Sequence, residues 1–333
     1  MAQTFLFIVY LVSLFGFSFV LIKSTDILIV SLKRLSTITK LGKYAATSII
    51  LGLATSLPEI FVGIVSALEN RPSLSLGNVI GSNIADLSIV IGGAALLASS
   101  VKVQKNIINK DLIIAFAISA LPVLFLFNKT LSQTEGFILI LTYFFYNFFI
   151  IKNRHKKTNQ QVKIVEQNYT LRIFNRFFPK SKSTQKLYRD LFLGIILLLF
   201  SADMIVKVST KIAIGFNIPI LFIGMFLVAI GTSLPELTFE IRTLKAGQSS
   251  MAIGNILGSI VVNSTLVLGL TSVLKPIVIT NVSDYLLPFI FTIIIFSLFY
   301  LFIKSKQTLN RWEGLALIII YVYFIILELL KRT

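Results

Sequence analysis

Cysteine is absent from this 333-residue chain, and histidine occurs once, at His155. The sequence therefore excludes disulfide bonds, thiolate metal sites and clusters of metal-binding histidines. Acidic residues are also scarce, with 14 Asp and Glu against 31 Lys and Arg. Charged residues make up 14% of the chain, well below the roughly one quarter that is usual in a soluble domain. A soluble globular protein is therefore not expected.

The parts of the sequence without charged residues are long and apolar. Runs of about 20 apolar residues, the length that crosses the hydrocarbon core of a bilayer, recur along the chain. The first run, 5–22, has no basic residue before it, so it is interpreted as a retained helix and not as a cleaved signal. The sequence predicts an all-α integral membrane protein with ten transmembrane helices. The predicted spans are 4–30, 44–68, 74–99, 111–128, 133–151, 188–211, 219–244, 250–273, 283–303 and 311–330.

The basic residues are distributed unevenly between the two sides that these spans define. One side receives 23 of them and the other seven, with Lys23 inside a span. Because cytoplasmic loops carry the excess of Lys and Arg, both termini are predicted outside the cell (inner) membrane, and the basic 152–190 loop in the cytoplasm. The net charge of +17 is thus a topology signal. Anionic lipid is a plausible partner of this loop, and nucleic acid is not an expected one.

The chain contains an internal repeat. LATSLPEI at 53–60 matches IGTSLPEL at 230–237, and GNVIGSNIAD at 77–86 matches GNILGSIVVN at 254–263. Both matches have the same spacing, hereafter the repeat offset, which carries Glu59 onto Glu236. Five spans separate the repeats, and because five is odd the two halves must cross the membrane in opposite directions.

The predicted organisation follows from this repeat. A first five-helix repeat is expected at 1–151, a basic linker at 152–190 and a second, inverted five-helix repeat at 191–333. Inverted repeats are typical of secondary transporters that bind substrate near the midplane.

The repeated motifs place carboxylates within apolar spans. Glu59 and Glu236 each follow a proline, and a buried carboxylate costs several kcal/mol unless it is paired, hydrated or bound to a cation. A proline also removes a helical hydrogen bond, so carbonyl oxygens near 52–55 and 229–232 are expected to be free. Carboxylate, hydroxyl and carbonyl oxygens are the ligands that hard cations prefer.

The spacing of the polar residues predicts one oxygen-lined cage. Hydroxyls three or four residues from a carboxylate or amide share its helix face. Three carboxylates, Glu59, Glu236 and Asp86, would contribute to the cage if the repeats face each other. The candidate ligands are Thr55, Ser56, Glu59, Ser82 and Asp86 from the first repeat and Thr232, Ser233, Glu236, Ser259 and Asn263 from the second.

The other acidic residues are interpreted as structural. A single buried Glu after a proline can itself be structural, and it is the pair at equivalent positions that favours a site. Asp26 and Asp203 lie near span ends and are expected to have structural or interfacial roles. Glu240 is followed by Arg242 and Lys245, so a solvated or ion-paired helix end is predicted there. The loop or interface charges are predicted to be Glu69, Asp111, Glu135, Glu166, Asp190, Asp284, Glu313 and Glu328.

At these motifs the sequence resembles the Ca²⁺/cation antiporter superfamily, and within it the prokaryotic sodium/calcium exchangers. The family signature, GTSxPE followed by GNxxGSN, appears as ATSLPE with GNVIGSN and as GTSLPE with GNILGSI. The resemblance implies ten helices in two inverted repeats, clustered cation sites at the midplane, and sliding of the first and sixth spans. The positions that match the family's ligands are Gly52, Thr55, Ser56, Glu59, Ser82, Asp86, Ala229, Thr232, Ser233, Glu236, Ser259 and Asn263, with Gly52 and Ala229 offering carbonyls only.

The sequence departs from the family pattern at three places. Ala54 stands opposite Gly231, and Ile260 replaces the Asn of the second GSN. The studied exchangers of the family carry Asn in the first repeat and Asp in the second, whereas this chain has Asp86 and Asn263. The number of carboxylates is unchanged, but the swap bears on the choice between Na⁺ and H⁺.

The function predicted from sequence is exchange of Ca²⁺ for Na⁺ by alternating access, with both ions as substrates and no cofactor. The alternatives on the same fold are a Ca²⁺/H⁺, a K⁺-dependent or another divalent-cation antiporter. An intramembrane enzyme is disfavoured because no His or Cys lies within a span and there is no HExxH motif. A cation channel is disfavoured because kinked helices and inverted repeats suit occlusion. The sequence leaves the oligomeric state open, and a monomer is compatible with it.

Overall fold

A computed structural model describes residues 2–38, 53, 55–98, 100–102, 111–154, 184–245, 249–279 and 283–331. The described chain is helical apart from four short strands. The 152–190 linker therefore lies largely outside the described residues, as does Gly52.

The elements of the first half alternate long and interrupted helices. They are α1 (Ala2–Ile38), α2 (Leu57–Leu68), α3 (Pro72–Ala85), a π-helical turn (Asp86–Val90), α4 (Ile91–Ala98), β1 (Ser100–Lys102), α5 (Leu112–Phe125), a 3₁₀ turn (Leu126–Asn128), β2 (Thr130–Leu131) and α6 (Gln133–Arg154).

The second half follows the same order from its fourth helix onward, apart from the 3₁₀ turn. Its elements are α7 (Thr184–Gly215), α8 (Ile220–Phe222), a π-helical turn (Ile223–Val228), α9 (Ala229–Thr232), α10 (Leu234–Lys245), α11 (Ser249–Val261), a π-helical turn (Val262–Val267), α12 (Leu268–Leu274), β3 (Ile277–Val278), α13 (Ser283–Lys306), β4 (Thr308–Asn310) and α14 (Arg311–Leu330).

Within the described residues, seven helical stretches are long and apolar enough to cross a membrane. They coincide with predicted spans one, three and six to ten. Leu57–Leu68 and Leu112–Asn128 are shorter apolar helices that match the second and fourth, and the fifth lies within α6. Large apolar side chains face outward, among them Phe145 and Phe192, as expected of surfaces in contact with lipid.

Two strand pairs join the halves of the chain. β1 pairs with β4 and β2 pairs with β3, both antiparallel. The repeat offset carries Ser100 and Val101 of β1 onto the two residues of β3. Each half therefore contributes one strand to each pair.

Close helix crossings show the same correspondence. A Cβ at Gly92 would lie 2.6 Å from the carbonyl oxygen of Gly314, and one at Gly269 would lie 2.9 Å from that of Gly136. The repeat offset carries Gly92 onto Gly269. Because only glycine leaves room for the facing backbone at these crossings, α4 approaches α14, and α12 approaches α6, more closely than side chains would permit.

The apolar residues form two clusters. The larger joins α3, α4 and α11 to α13 and α14. The smaller lies between α1, α7 and the helices that pack against them, and includes Leu14, Leu21, Leu198 and Ile205. The two longest helices thus pack along each other and share a separate apolar interface with the rest of the molecule.

Candidate functional site

The two proline motifs break their helices at equivalent places. Ser56 and Ser233 leave the helical conformation, with φ/ψ of −90°/9° and −84°/0°, and α2 and α10 begin at the next residue. Glu59 and Glu236 consequently lie in the first turn of a helix. Backbone N–H groups are unpaired at this end and the helix dipole favours negative charge. The motif therefore holds each carboxylate where its charge is best tolerated.

One expectation about the break is wrong. The Ala229 carbonyl was expected to lack a helical partner, but it accepts the backbone N–H of Ser233 at 2.9 Å and the Thr232 hydroxyl at 3.3 Å. The break falls after Ala229 has completed its turn. Pro235 has no N–H, so it cannot donate a hydrogen bond to the carbonyl of Gly231, four residues before it.

Hydrogen bonds cross between the repeats in matched pairs. The Thr232 hydroxyl donates to Asn78 Oδ1 at 3.1 Å and lies 3.4 Å from Ser82 Oγ. The Thr55 hydroxyl donates to Asn255 Oδ1 at 3.3 Å and lies 3.2 Å from Ser259 Oγ. Each residue of one set corresponds to one of the other at the repeat offset. The structure therefore pairs Thr55 with Ser259 and Thr232 with Ser82, each pair across the two repeats.

Asp86 and Asn263 lie at matching π-helical turns. Asp86 opens the turn 86–90, and Asn263 is the second residue of the turn 262–267. π-Turns inside α-helices are frequent at functional sites. Asn263 donates through Nδ2 to Asn83 Oδ1 at 3.3 Å, and Asn83 donates to Ser264 Oγ at 2.8 Å. The Asp86 and Asn263 side chains are both buried, each 1% exposed.

The three predicted carboxylates are buried together. Glu59, Asp86 and Glu236 are each 1% exposed. Asp86 and Glu59 lie within electrostatic range of each other and of Glu236, with Ser82 and Thr232 beside Glu59 and Ser233 beside Asp86. No ion pair with a described Lys or Arg neutralises any of them. Their charge must therefore be balanced by protons or by bound cations.

Several buried oxygens at this centre have no hydrogen-bond partner among the described residues. They are Ser56 Oγ, Glu59 Oε2, Asp86 Oδ1, Ser233 Oγ, Glu236 Oε2 and Asn263 Oδ1. Buried polar atoms are nearly always paired, and each exception calls for a reason such as an ion or water. The donor set is entirely oxygen, which fits hard cations such as Ca²⁺ and Na⁺.

Within the described part of the chain, no group of three or more acidic or histidine side chains could hold a metal ion. An ion bound here would therefore complete its shell with hydroxyl, amide and carbonyl oxygens. The ten side chains predicted from sequence are hereafter called the central site, and their role as ligands stays a prediction. Ala229 is buried beside Thr232, and Gly52 lies outside the described residues.

Two acidic residues were assigned wrongly from the sequence. Glu240 was predicted at a solvated or ion-paired helix end, but it is 0% exposed and accepts a bond from Asn255 Nδ2 at 3.1 Å. Glu328 was predicted as a loop or interface charge and is also 0% exposed. The error at Glu240 arises because Asn255 of α11 lies over it.

The sequence analysis also missed polar residues that position the central site. Asn78 and Asn255 hold the two threonines, and Asn83 holds Asn263. The first two are the Asn of each repeated GN pair. That repeated amide was a signal from which both could have been found.

Asp26 and Asp203 agree with their predicted structural roles, since each pairs with a lysine at its helix surface.

Comparison with known proteins identifies the family of the chain. A family model described as sodium/calcium exchanger protein matches residues 9–152 and 190–330. The chain belongs to this family. The two matched segments lie on either side of the basic linker, so this exchanger-family chain is matched across both halves.

Related exchangers cover most of the chain. The sodium/calcium exchanger MaX1 of Methanosarcina acetivorans is 28% identical over 95% of this chain and 97% of its own length. The putative antiporter CaxA of Alkalimonas amylolytica is 28% identical over 82% of this chain and 84% of its own. The inner membrane protein YrbG of Escherichia coli is 27% identical over 68% of each. MaX1 and CaxA are named as transporters and not as enzymes.

Solved structures share the fold. The sodium-calcium exchanger NCX_Mj, soaked with Na⁺ and Sr²⁺, superposes with a TM-score of 0.61 at 24% identity, covering 95% of this chain and 98% of its own. NCX_Mj soaked with Na⁺ and Ca²⁺ superposes with a TM-score of 0.60 at the same identity. The exchanger-family chain therefore has the fold of these exchangers over nearly its whole length.

Proposed function

We propose that the protein is a secondary active antiporter that exchanges Ca²⁺ for Na⁺ across the membrane. The observation that carries the proposal is the buried, unneutralised carboxylate set built jointly by both repeats, with unpartnered oxygens around it in the described part of the chain. The names of its relatives, which include a sodium/calcium exchanger, support the choice of ions.

Competition for the same oxygens gives exchange. Ca²⁺ takes six to eight oxygen ligands, so a bound Ca²⁺ draws on carboxylates and hydroxyls from both repeats and displaces Na⁺. Both crossed threonine contacts span the repeats, so a cation held there stabilises one arrangement of the halves. Binding of either ion set therefore shifts the same equilibrium.

Charge enforces the coupling. Glu59, Asp86 and Glu236 together carry three negative charges in a water-poor interior when ionised, and unpaired buried charge is costly. The loaded protein can move its site between the two membrane faces, whereas the bare protein is held back. The membrane potential acts on any unbalanced charge with about 2.3 kcal/mol per charge per 100 mV. Net entry of positive charge would therefore assist Ca²⁺ export.

The separate packing of α1 and α7 suggests how access alternates. These helices contact the other helices through their own apolar cluster, and apolar interfaces of this kind permit sliding without loss of hydrogen bonds. We assign them as the moving pair. Gly231 beside the central site lies against Ser18 of α1, where a Cβ would meet Ser18 Oγ at 2.5 Å, so a shift of α1 would be felt at the site.

The proposed topology is ten spans in two inverted five-helix repeats, with both termini outside and the 152–190 linker in the cytoplasm. Odd spacing of the repeats and the excess of basic residues on one side support it. The exchanged strands β1–β4 and β2–β3 are also expected of two halves related by a pseudo-two-fold axis in the membrane plane.

The test is ⁴⁵Ca²⁺ uptake into proteoliposomes loaded with Na⁺, compared with Na⁺-free vesicles and with vesicles carrying an imposed pH gradient. We expect uptake that requires the outward Na⁺ gradient and is lost in Glu59→Gln and in Glu236→Gln. Glu69→Gln, which alters a partly exposed acid of the Lys207 ion pair, is the control that should retain uptake. Uptake driven only by the pH gradient would replace the proposal with Ca²⁺/H⁺ antiport, and no Ca²⁺ flux would reject the substrate.

A further inference from the structure

Glu240 is a fourth buried carboxylate beside the central site. It lies one turn beyond Glu236 on α10 and is 0% exposed. Its Oε1 accepts a hydrogen bond from Asn255 Nδ2 at 3.1 Å. Its Oε2 is buried and has no hydrogen-bond partner in the described part of the chain. Such an oxygen is costly to bury unless an ion or water occupies its free side.

Comparison of the two repeats shows that this carboxylate belongs to one half only. At the repeat offset, Glu240 corresponds to Gly63 and Asn255 to Asn78. A Cβ at Gly63 would lie 2.9 Å from both Thr271 Oγ1 and Val267 Cγ1, so neighbours fill that place in the first repeat. Asn78 Nδ2 is accordingly left without a described partner. The repeat architecture therefore does not require an acid at this position.

Asn255 connects Glu240 to the central site. Its Oδ1 accepts the Thr55 hydroxyl at 3.3 Å while its Nδ2 binds Glu240. Asp86 and Glu236 both lie within electrostatic range of Glu240, and no described lysine or arginine pairs with it. The ionised centre therefore carries one more negative charge than the three predicted carboxylates supply.

We propose that Glu240 ligates an additional monovalent metal cation, bound through Oε2 next to the central site. The inference rests on the proposed function in that it takes the centre to bind cations. A divalent ion is disfavoured because Ca²⁺ requires six to eight oxygens, and Glu240 and Asn255 supply few. A proton on Oε2 would also remove the charge, but its O–H would have no described acceptor, and the number of bound Na⁺ distinguishes the two. A monovalent cation carries the single positive charge that balances the one extra negative charge of Glu240.

The consequence is a change in the number of monovalent ions that the protein holds. When Ca²⁺ occupies a centre with Glu59, Asp86, Glu236 and Glu240 ionised, two negative charges are left where a three-carboxylate centre leaves one. An alkali cation at Glu240 would offset this difference. It would either travel with Ca²⁺ or add one Na⁺ to the exchanged set.

The experiment is equilibrium binding of ²²Na⁺ to the purified full-length protein in detergent, by scintillation proximity, without Ca²⁺. We expect Glu240→Gln to bind one Na⁺ fewer per chain at saturation, since glutamine keeps the acceptor for Asn255 and removes the charge. Glu240→Asp, which retains the charge but shortens the side chain, should keep the number and weaken one Na⁺ by about tenfold, as a displaced ligand would. Glu69→Gln should match the wild type.

The outcomes separate the alternatives. The proposal is overturned if correctly folded Glu240→Gln protein binds as many Na⁺ as the wild type. It is also overturned if this variant loses only the release of a proton on Na⁺ binding and no bound Na⁺. Should Glu240→Gln fail to fold, wild-type affinity of every Na⁺ in Glu240→Asp overturns it as well. Displacement of one Na⁺ by K⁺ in the wild type and none in Glu240→Gln supports a site that accepts both alkali ions. Because no flux is measured, failure of Ca²⁺ transport leaves this result intact.

Discussion

Asp86 and Asn263 occupy equivalent π-turn positions, yet only Asp86 is charged. Their neighbours account for the difference. Asn263 faces Asn83 Oδ1 and donates to it, whereas the position that corresponds to Asn83 in the other repeat is Ile260. A carboxylate at 263 would direct a second oxygen at Asn83 Oδ1, which is unfavourable. The amides of Asn83 and Asn263 are therefore a compatible pair, and the carboxylate is the one in the first repeat, Asp86.

Moving the charge back to the second repeat tests this interpretation. Asp86→Asn is expected to weaken Ca²⁺ binding at least tenfold, about 1.4 kcal/mol, because one buried carboxylate is lost. The double variant Asp86→Asn with Asn263→Asp should recover part of the affinity, since the number of carboxylates is restored. Equilibrium ⁴⁵Ca²⁺ binding to purified protein measures both. Wild-type affinity in the single variant would contradict the importance of Asp86, and full recovery in the double variant would contradict the incompatibility of Asn83 with a carboxylate at 263.

At the scale of elements, helix interruptions position the site. Two serine breaks put Glu59 and Glu236 in first helical turns, and two π-turns carry Asp86 and Asn263. The prolines made the first kind predictable from the sequence. The π-turns were not, since no residue type marks them, and they depend on how each helix packs against its neighbours. The positions of the apolar helices, by contrast, follow from apolar length alone.

Glu240 shows the limit of local reasoning. Arg242 and Lys245 suggested a solvated end, and on an isolated α10 that inference would be sound. In the folded chain α11 supplies Asn255, which covers Glu240 and binds it. The contact joins α10 to α11, and it depends on packing that the sequence pattern does not encode. The residues in the repeated motifs were predictable because the repeat itself supplied a second observation.

Close packing of α14 on α4 is expected to be sensitive to one methyl group. A Cβ at Gly314 would lie 2.8 Å from the Gly92 carbonyl oxygen and 3.1 Å from Ala95 Cβ. Gly314→Ala should therefore destabilise the protein by roughly 1–3 kcal/mol, as overpacking does. Thermal unfolding in detergent measures the change.

Gly16→Ala is the matched control. It makes the same substitution within a helix, where no described atom lies within 4 Å of the new Cβ. Because alanine is the better helix former by up to about 1 kcal/mol, this variant should be as stable as the wild type or more so. Equal melting temperatures for the two variants would show that the α4–α14 crossing is not tight.

At the scale of the whole molecule, equivalent loops are predicted on opposite membrane faces. Asn128 and Lys306 are exposed residues that each directly precede a residue of positive φ, Lys129 at 67° and Gln307 at 54°. They stand at almost the same place in the two repeats, one position away from the repeat offset. In the proposed topology Asn128 lies outside and Lys306 in the cytoplasm.

The absence of cysteine makes this directly testable. A membrane-impermeant maleimide should label Asn128→Cys in intact cells, and Lys306→Cys only after the membrane is opened. The unsubstituted protein is the blank. Labelling of both variants from the same side would rule out inverted repeats, even if the fold of each half is right.

The central claim is that movement of Ca²⁺ is obligatorily coupled to movement of Na⁺ in the opposite direction. The most direct measurement imposes a Ca²⁺ gradient on proteoliposomes with equal ²²Na⁺ on both sides and the membrane potential clamped. The account predicts that ²²Na⁺ accumulates against its own gradient on the Ca²⁺-rich side, reverses when the Ca²⁺ gradient is reversed, and stays level with Glu236→Gln. A ²²Na⁺ distribution that remains level in the wild type while Ca²⁺ crosses would contradict it.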